Sequence, residues 1–507
     1  MGSVCLIGID VGTSGVKVLA LSDEGRILAS AVEPYPLFSP QPGWTEQEPE
    51  DWWNATLTAL RQVLPKTEGR RIAAVGLSGQ MHGMVALDGE NRVVRRAILW
   101  NDQRTDAQCR RITEAAGGVD ALVSMTNNQM LTGYTGGKIL WLKENEPENF
   151  QRTRLIVNPK DYLRFRLTGV LCTDVSDASG FGFYDVRRNA WHEELIRRVG
   201  LSIALFPKVV ESTDVTGSVT AEGSAASGLP VGVPVAGGGG DAVISTTGLG
   251  LVKPGRVAVT LGTSGVVAVG LPSFLPNPQG NLQVFRGNSP GTFTAMGVTL
   301  NAAGSYHWFR SALGQFEVAE GKRVGRSAFA LLDEAAAAVP AGSEGLLFLP
   351  YLTGERCPVN DPDARGGFLG LTSQHGKGHF ARAVLEGVAY SLRQVHDLTI
   401  GADASLPPST ELVLAGGGAA SPLWRQIFAD VFGMPVRTVF GSAEGGSFGA
   451  ALVAGVASGV WPDLAATIPL IRPESETLPQ PENRAVYDRL FKRYVRMYDA
   501  LEWSFTD

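Results

Sequence analysis

Cysteine is scarce in this chain. Four thiols (Cys5, Cys109, Cys172 and Cys357) occur in 507 residues, with no CxxC pair and no Cys/His cluster at metal-ligand spacing. That excludes a disulfide-built scaffold and shows no transition-metal site, and the thiols are expected to be reduced and mostly buried in a cytoplasmic protein. Basic charge is not in excess either. Lys and Arg total 44 against 50 Asp and Glu, a net charge of -6. Neither a nucleic acid nor an anionic membrane is therefore an expected partner. Long apolar runs are missing as well. The longest nearly charge-free stretch, residues 228–252, contains Asp241 and is rich in glycine, so it suits a membrane span poorly. Residues 1–6 lack a basic segment and Asp10 interrupts the apolar run, so no signal peptide is read there. No GxxxxGK[ST], protein-kinase signature or GxGxxG occurs, which sets aside the P-loop, protein-kinase and dinucleotide-binding classes.

Glycine, by contrast, is plentiful: 62 residues, gathered in short patches and not in a repeat. Patches of this kind mark special backbone geometry. The length predicts at least two domains, and strands such as 72–77 alternating with helical stretches such as 51–64 predict an α/β fold. The chain opens as a three-stranded meander: an apolar strand ending at Asp10, the turn Gly12-Thr13-Ser14-Gly15, a returning strand 16–21, and a third over 26–32. The string Ile9–Lys17 returns as Val259–Val267, sharing Gly-Thr-Ser-Gly between apolar strands. Two similar domains, 1–249 and 250–507, follow from that spacing. Residues 483–503 carry Tyr487, Leu490, Phe491, Tyr494, Tyr498 and Leu501 at helical spacing, a packed amphipathic helix.

Four patches have the composition of a binding site. In Asp10–Gly15, glycine amides and the hydroxyls of Thr13 and Ser14 can meet phosphate oxygens, Lys17 can add a cation, and Asp10 can hold hydrated Mg²⁺; an ordinary tight hairpin reads the same way. Val235–Asp241 runs through four glycines into a carboxylate. There Asp241 can take the proton of an attacking hydroxyl, or it is an acidic turn residue on a loop. Gln80-Met81-His82, bracketed by Gly79 and Gly83, together with Trp100-Asn101-Asp102, offers amide, carboxylate and aromatic groups suited to a polyhydroxylated ligand. Gly416-Gly417-Gly418 leading to Ser421 and the helix predicted over 422–431 can receive a nucleotide on backbone amides, or is a tight packing turn.

Taken in order with Trp44–Glu50, Pro159–Leu163, Phe348–Arg356 and Ala381–Val388, these segments resemble the FGGY carbohydrate kinases of the actin-like ATPase superfamily, from residue 7 to about 455. Gln80–Gly83 with Ile98–Asp102 is more similar to the xylulokinase branch than to the glycerol or gluconate kinases. The resemblance implies two ribonuclease-H-like domains around a cleft, the sugar mainly on the first half, ATP largely on the second, and Mg²⁺ between them. It implies Asp241 as general base, Asp10 near the metal, and Met81 and His82 on the ketose. Gly12, Thr13, Gly262 and Thr263 would face the ATP phosphates, Gly417 and Gly418 the nucleoside, and the assembly would be a homodimer. Three positions depart from the branch. Ala242 stands where an Asn is usual, Tyr134-Thr-Gly-Gly-Lys138 replaces Phe-Thr-Ala-Pro-Lys, and Glu355-Arg-Cys-Pro358 replaces Glu-Arg-Thr-Pro. Losing the Asn points to a sugar lacking one hydroxyl or otherwise modified. A chaperone- or filament-type ATPase, or a non-catalytic sugar sensor, would share the hairpins. The first leaves Gln80–His82 and Trp100–Asp102 without a purpose, and the second should lack Asp10 or Asp241.

Overall fold

The structure, a computed structural model, describes residues 3–277, 279–401 and 406–506. The predicted meander forms β1 (Val4–Val11), β2 (Gly15–Ser22) and β3 (Ile27–Pro34), all antiparallel neighbours. β1 is buried along nearly its whole length and β2 along its second half, as a sheet covered on both faces demands. The helix α1 (Pro49–Val63) starts two residues before the sequence expectation because Pro49 sets its first turn. It buries Trp52 and Trp53 against the meander.

β4 (Arg71–Gly79) joins β1 in parallel, extending the sheet away from the hairpin. Beyond β4 lie β5 (Val215–Ser218) and β6 (Pro234–Ala236), in the order β5-β6-β4-β1-β2-β3. The glycines before Asp241 are not a loop. Gly239 and Gly240 form a short strand, β7, paired in parallel with Ser78 and Gly79 of β4. Gly238 makes the jog between β6 and β7 at φ 73°, a left-handed conformation, and a Cβ there would overlap Leu77 O. α2 (Asp241–Gly248) begins directly at the carboxylate.

The second half repeats the plan. β8 (Arg256–Leu261) and β9 (Gly265–Leu271) form the hairpin, β10 (Gln283–Arg286) and β11 (Phe293–Thr299) continue it antiparallel, and β12 (Glu411–Ala415) pairs with β8 in parallel. β13 (Val436–Val439) and β14 (Pro473–Thr477) complete a sheet ordered β10-β11-β9-β8-β12-β13-β14. In both sheets the first hairpin strand has its partner antiparallel on one side and a parallel strand on the other, so the repeat in sequence is a repeat in fold. The long helix α3 (Lys377–Ile400) packs inside the second half. α4 (Pro422–Phe432) follows Ser421 as expected.

Two features differ from the sequence reading. The helix expected over 483–503 is α6 (Pro481–Tyr494) followed by a tight turn and α7 (Met497–Leu501); the turn keeps both Tyr494 and Met497 buried in the same core. And α5 (Gly446–Ala457), late in the chain, packs on β1 and β4 of the first half. Glycines make that approach: a Cβ on Gly8 would overlap Ser447 O, and one on Gly76 would overlap Ala450 O. The second stretch of sequence is therefore not confined to the second sheet.

Candidate active site

Strand register sets the carboxylate pair. Asp10 lies opposite Ser78 across β1 and β4, and Gly240, the residue before Asp241, lies opposite Gly79 on the other edge of β4. Two strand spacings put Asp10 and Asp241 about 10 Å apart in backbone at the same end of the sheet. Ser78 Oγ donates to Asp10 Oδ1 at 2.6 Å. Asp241 Oδ1 accepts from Ala242 N at 2.7 Å and Met81 N at 3.4 Å. Burial first, and then the charge of Asp10, lifts the Asp241 carboxyl to about 7. Burial also raises Asp10, against the opposing pull of Ser78 and Lys17.

Asp241 opens onto a cavity of about 600 Å³. Met81, His82, Trp100 and Asn101 line it, as the sequence suggested, and so does Ala242. His82 sits at φ 68°, with its carbonyl held by Lys138 Nζ at 2.7 Å and Thr135 Oγ1 at 3.1 Å. Nδ1–H donates to Gly180 O at 2.9 Å, which leaves Nε2 as an acceptor. Burial, with the Lys138 charge second, lowers the imidazole to about 3, so it is neutral. The second half supplies the opposite wall: Ser264, Gln283, Phe285, Val298 and Arg356. The edge strand β10 is fixed there by amide side chains of the first half. Asn128 Nδ2 donates to Val284 O and Asn128 Oδ1 accepts from Val284 N, both at 2.8 Å.

A second cavity, about 480 Å³, gathers Gly262, Thr263, Gly417, Gly418 and Ser421, five residues singled out from sequence. Gly262 N donates to Ser264 O at 3.0 Å, whereas in the first hairpin Gly12 N donates one residue further on, to Gly15 O at 3.1 Å, so the two turns share a sequence but close differently. Ser421 caps α4 by accepting from Trp424 N at 3.1 Å. Its hydroxyl donates to Asp333 at 2.7 Å, and Asp333 also accepts from Tyr306 at 2.9 Å. Gly262 and Thr263 line this cavity while Ser264 lines the first, so one turn borders both.

Other expected residues stand behind the walls. Asp102 is fully buried, gripped by Arg104 (2.7 Å) and by Thr45 N (2.7 Å), and does not line the cavity. Gln80 is buried too, bonded to Gln47 at 2.8 Å. Thr13 Oγ1 accepts from Trp100 Nε1 at 2.9 Å and reaches Gln80 Oε1 at 3.5 Å, linking the first hairpin to the cavity wall. Lys17 donates to Ala443 O at 2.8 Å and pairs with Glu444 at 3.4 Å. Ser14 is exposed at the turn. Sequence reasoning missed Tyr35, whose hydroxyl donates to Gly12 O and feels both carboxylates. It missed Asp333, and the pair Gly445-Gly446 that brings the start of α5 against Asp10 and Ser78. Glu444-Gly-Gly-Ser447 before an apolar run was the available signal for the last.

Two repeated hairpin sheets facing a carboxylate-floored cleft are the arrangement of a phosphoryl-transfer enzyme. The sequence pattern of the FGGY family of carbohydrate kinases matches this chain in both parts, its N-terminal domain over residues 5–248 and its C-terminal domain over 257–458; the chain belongs to that family and is a carbohydrate kinase. Among its relatives are xylulose kinases. That of Bacillus subtilis (strain 168) is 36% identical over 496 residues, covering 97% of this chain and 96% of that protein. That of Escherichia coli (strain K12) is 37% identical over 495 residues, covering 98% and 99%. The crystal structure of the xylulose kinase from Rhodospirillum rubrum superposes with a TM-score of 0.89 at 30% identity, covering 99% of each chain. No described helix is long and apolar enough to cross a membrane.

Proposed function

We propose that the enzyme transfers the γ-phosphoryl group of ATP to the terminal hydroxyl of a ketose, D-xylulose giving D-xylulose 5-phosphate, with Asp241 as general base. The observation that carries this reading is the Asp241 carboxyl: held at about 7 beside the Met81 amide, it faces a cavity of sugar size lined by both polar and apolar side chains. At that value it is ionised in a good fraction of molecules near neutral pH and still basic enough to accept a proton. Met81, His82, Trp100 and Asn101 hold the sugar. Gly262, Thr263, Gly417, Gly418 and Ser421 take the nucleotide, with the first hairpin turn at Gly12 and Thr13 facing its phosphates. Gln80 and Asp102 hold the walls from behind. The division into 1–249 and 250–507 describes the two hairpin-bearing halves, with α5 returned to the first sheet.

Asp10 suits Mg²⁺. Its carboxylate is half-buried with a single hydroxyl partner, and the described residues contain no cluster of three or more metal-type ligands. A cation that keeps its waters and shares phosphate oxygens needs no larger set. Bound there with ATP, Mg²⁺ would neutralise phosphate charge. Asp241 orients the sugar hydroxyl and takes its proton, while hairpin amides meet the phosphoryl oxygens.

Coupled ATP turnover with Mg²⁺ against ketoses, deoxyketoses and polyols tests the reading. Strong stimulation by D-xylulose is expected, with Asp241→Ala folded and sugar-binding but slowed about 1,000-fold or more. Sugar-independent turnover, or near-normal turnover by Asp241→Ala, would contradict it. The deoxyketoses address Ala242, which presents only a methyl to the cavity.

A further inference from the structure

Asp241 is placed by two elements, β7 before it and α2 from it onward. β7 is only two residues long and pairs with β4 alone among the described strands. A buried amide on the free side of such a strand needs another partner. For Gly240 N that partner is Ser176 Oγ, at 2.9 Å. The Ser176 hydroxyl donates in turn to Asp174 Oδ2 at 2.6 Å. A longer chain ties α2 to the same oxygen. Thr247 Oγ1 donates to Asn288 Oδ1 at 2.9 Å, Asn288 Nδ2 donates to Ser212 Oγ at 2.9 Å, and Ser212 Oγ donates to Asp174 Oδ2 at 3.1 Å. Asn288 belongs to the second half, two residues past β10, whose Gln283 and Phe285 wall the sugar cavity.

Asp174 is fully buried, where a carboxylate needs a cation beside it. Lys160, equally buried, stands 2.9 Å from Asp174 Oδ1 and also meets Asp161 at 2.6 Å. Arg164 pairs with Asp161 at 2.7 Å and donates to Gly237 O, where the jog into β7 begins. The Ser212 carbonyl holds the same jog by accepting from Gly238 N at 2.9 Å. Neither Asp174 nor Lys160 lines the cavity, so both act on the site through the backbone that carries Asp241.

We infer that Asp174 is a positioning residue for phosphoryl transfer. Through Ser176 it fixes the strand before Asp241, and through Ser212 and Asn288 it fixes the helix that Asp241 begins. The base is thereby set in its own sheet and against the half that forms the opposite wall. The inference rests on Asp241 being the general base. A reacting group misplaced by about 1 Å can cost about 100-fold in rate while the substrate keeps its contacts. The loss of either tie therefore belongs in kcat and not in KM.

Steady-state kinetics with D-xylulose and ATP on wild type, Ser176→Ala, Ser212→Ala and Asp174→Asn test this. Ser227→Ala is the control. It removes a buried hydroxyl of the first half that donates to Gly223 O at 2.6 Å and lines neither cavity. Ser176→Ala and Ser212→Ala should each lose about 10-fold in kcat, with both KM values within about 2-fold. Asp174→Asn should lose about 100-fold, because an amide cannot accept from the serines and face Lys160 with oxygen at the same time. Ser227→Ala should melt earlier than wild type and keep its kcat. If Asp174→Asn does not fold, the two serine variants still decide. Wild-type kcat in both of them, a loss carried by KM, or an equal loss in Ser227→Ala overturns the positioning role alone. Near-normal turnover by Asp241→Ala, or a wild type that xylulose does not stimulate, overturns the kinase reading and this inference together.

Discussion

Asp241 carries the residue-scale predictions, because its ionisation is set by its surroundings. Its carboxyl sits at about 7 instead of 3.8, through burial first and the Asp10 charge second. Activity should therefore rise with pH through about 7 in a kcat/KM profile. Asp10→Asn, which removes the repelling charge, should move that limb to lower pH even as it lowers the rate; an unmoved limb would show that Asp10 does not act on Asp241. The same shift bears on stability with a definite sign. A folded value above the unfolded one means the fold favours the protonated form, so the associated stability is full below pH 3.8 and lost as pH rises to about 7. Asp241→Asn should gain thermal stability over wild type progressively between pH 4 and 7 and hold a constant margin above. A melting-temperature difference that does not vary over that window would contradict the shift.

At the scale of elements, the contact between α5 and the first sheet is the most demanding. Its backbone approaches so closely that only hydrogen fits at Gly8 and Gly76. Gly76→Ala is expected to cost about 3 kcal/mol in urea unfolding, since backbone oxygen cannot retreat as a flexible side chain can. Gly367→Ala, whose Cβ would meet nothing within 4 Å, should stay within about 0.5 kcal/mol. The contrast separates close approach from loss of glycine as such. Elements with their own local signals were legible: the meander from its apolar runs and turns, α1 from the helical pattern over 51–64, α4 from Ser421-Pro422. The break between α6 and α7 was not, because helical spacing of apolar residues continues through it, and the core alone dictates the change of direction.

At the scale of the molecule, the two halves share apolar packing. Leu6, Ala74 and Phe448 belong to the same buried cluster as Phe285, Val413 and Ala415, so residues of both sheets lose contact with water together. Asn127 and Asn128 add buried amide bonds from the first half to Leu275 O and Val284 O of the second, at 2.9 and 2.8 Å. A scanning calorimeter should accordingly record one cooperative endotherm; two resolved transitions would show the shared cluster to be weaker than each half's own core.

The sequence by itself determined the hairpin turns, their duplication, the glycine-lined ends of strands and the carboxylates Asp10 and Asp241, because each depends on a few adjacent residues with distinctive backbone demands. Gly262, Thr263, Gly417, Gly418 and Ser421, which line one cavity, stood out for the same reason, as two short strings. Tertiary structure alone decided which polar residues face the cleft. Asp102 is taken by Arg104, Gln80 by Gln47, and Lys17 by the turn before α5, while Asp333, Tyr134 and Arg356 reach the cavities from elements far apart in the chain and Tyr35 reaches the first hairpin turn at Gly12. Side-chain partners are settled by three-dimensional packing, at separations from two residues (Asp102 and Arg104) to 426 (Lys17 and Ala443), and no local pattern of hydrophobicity or glycine records that outcome.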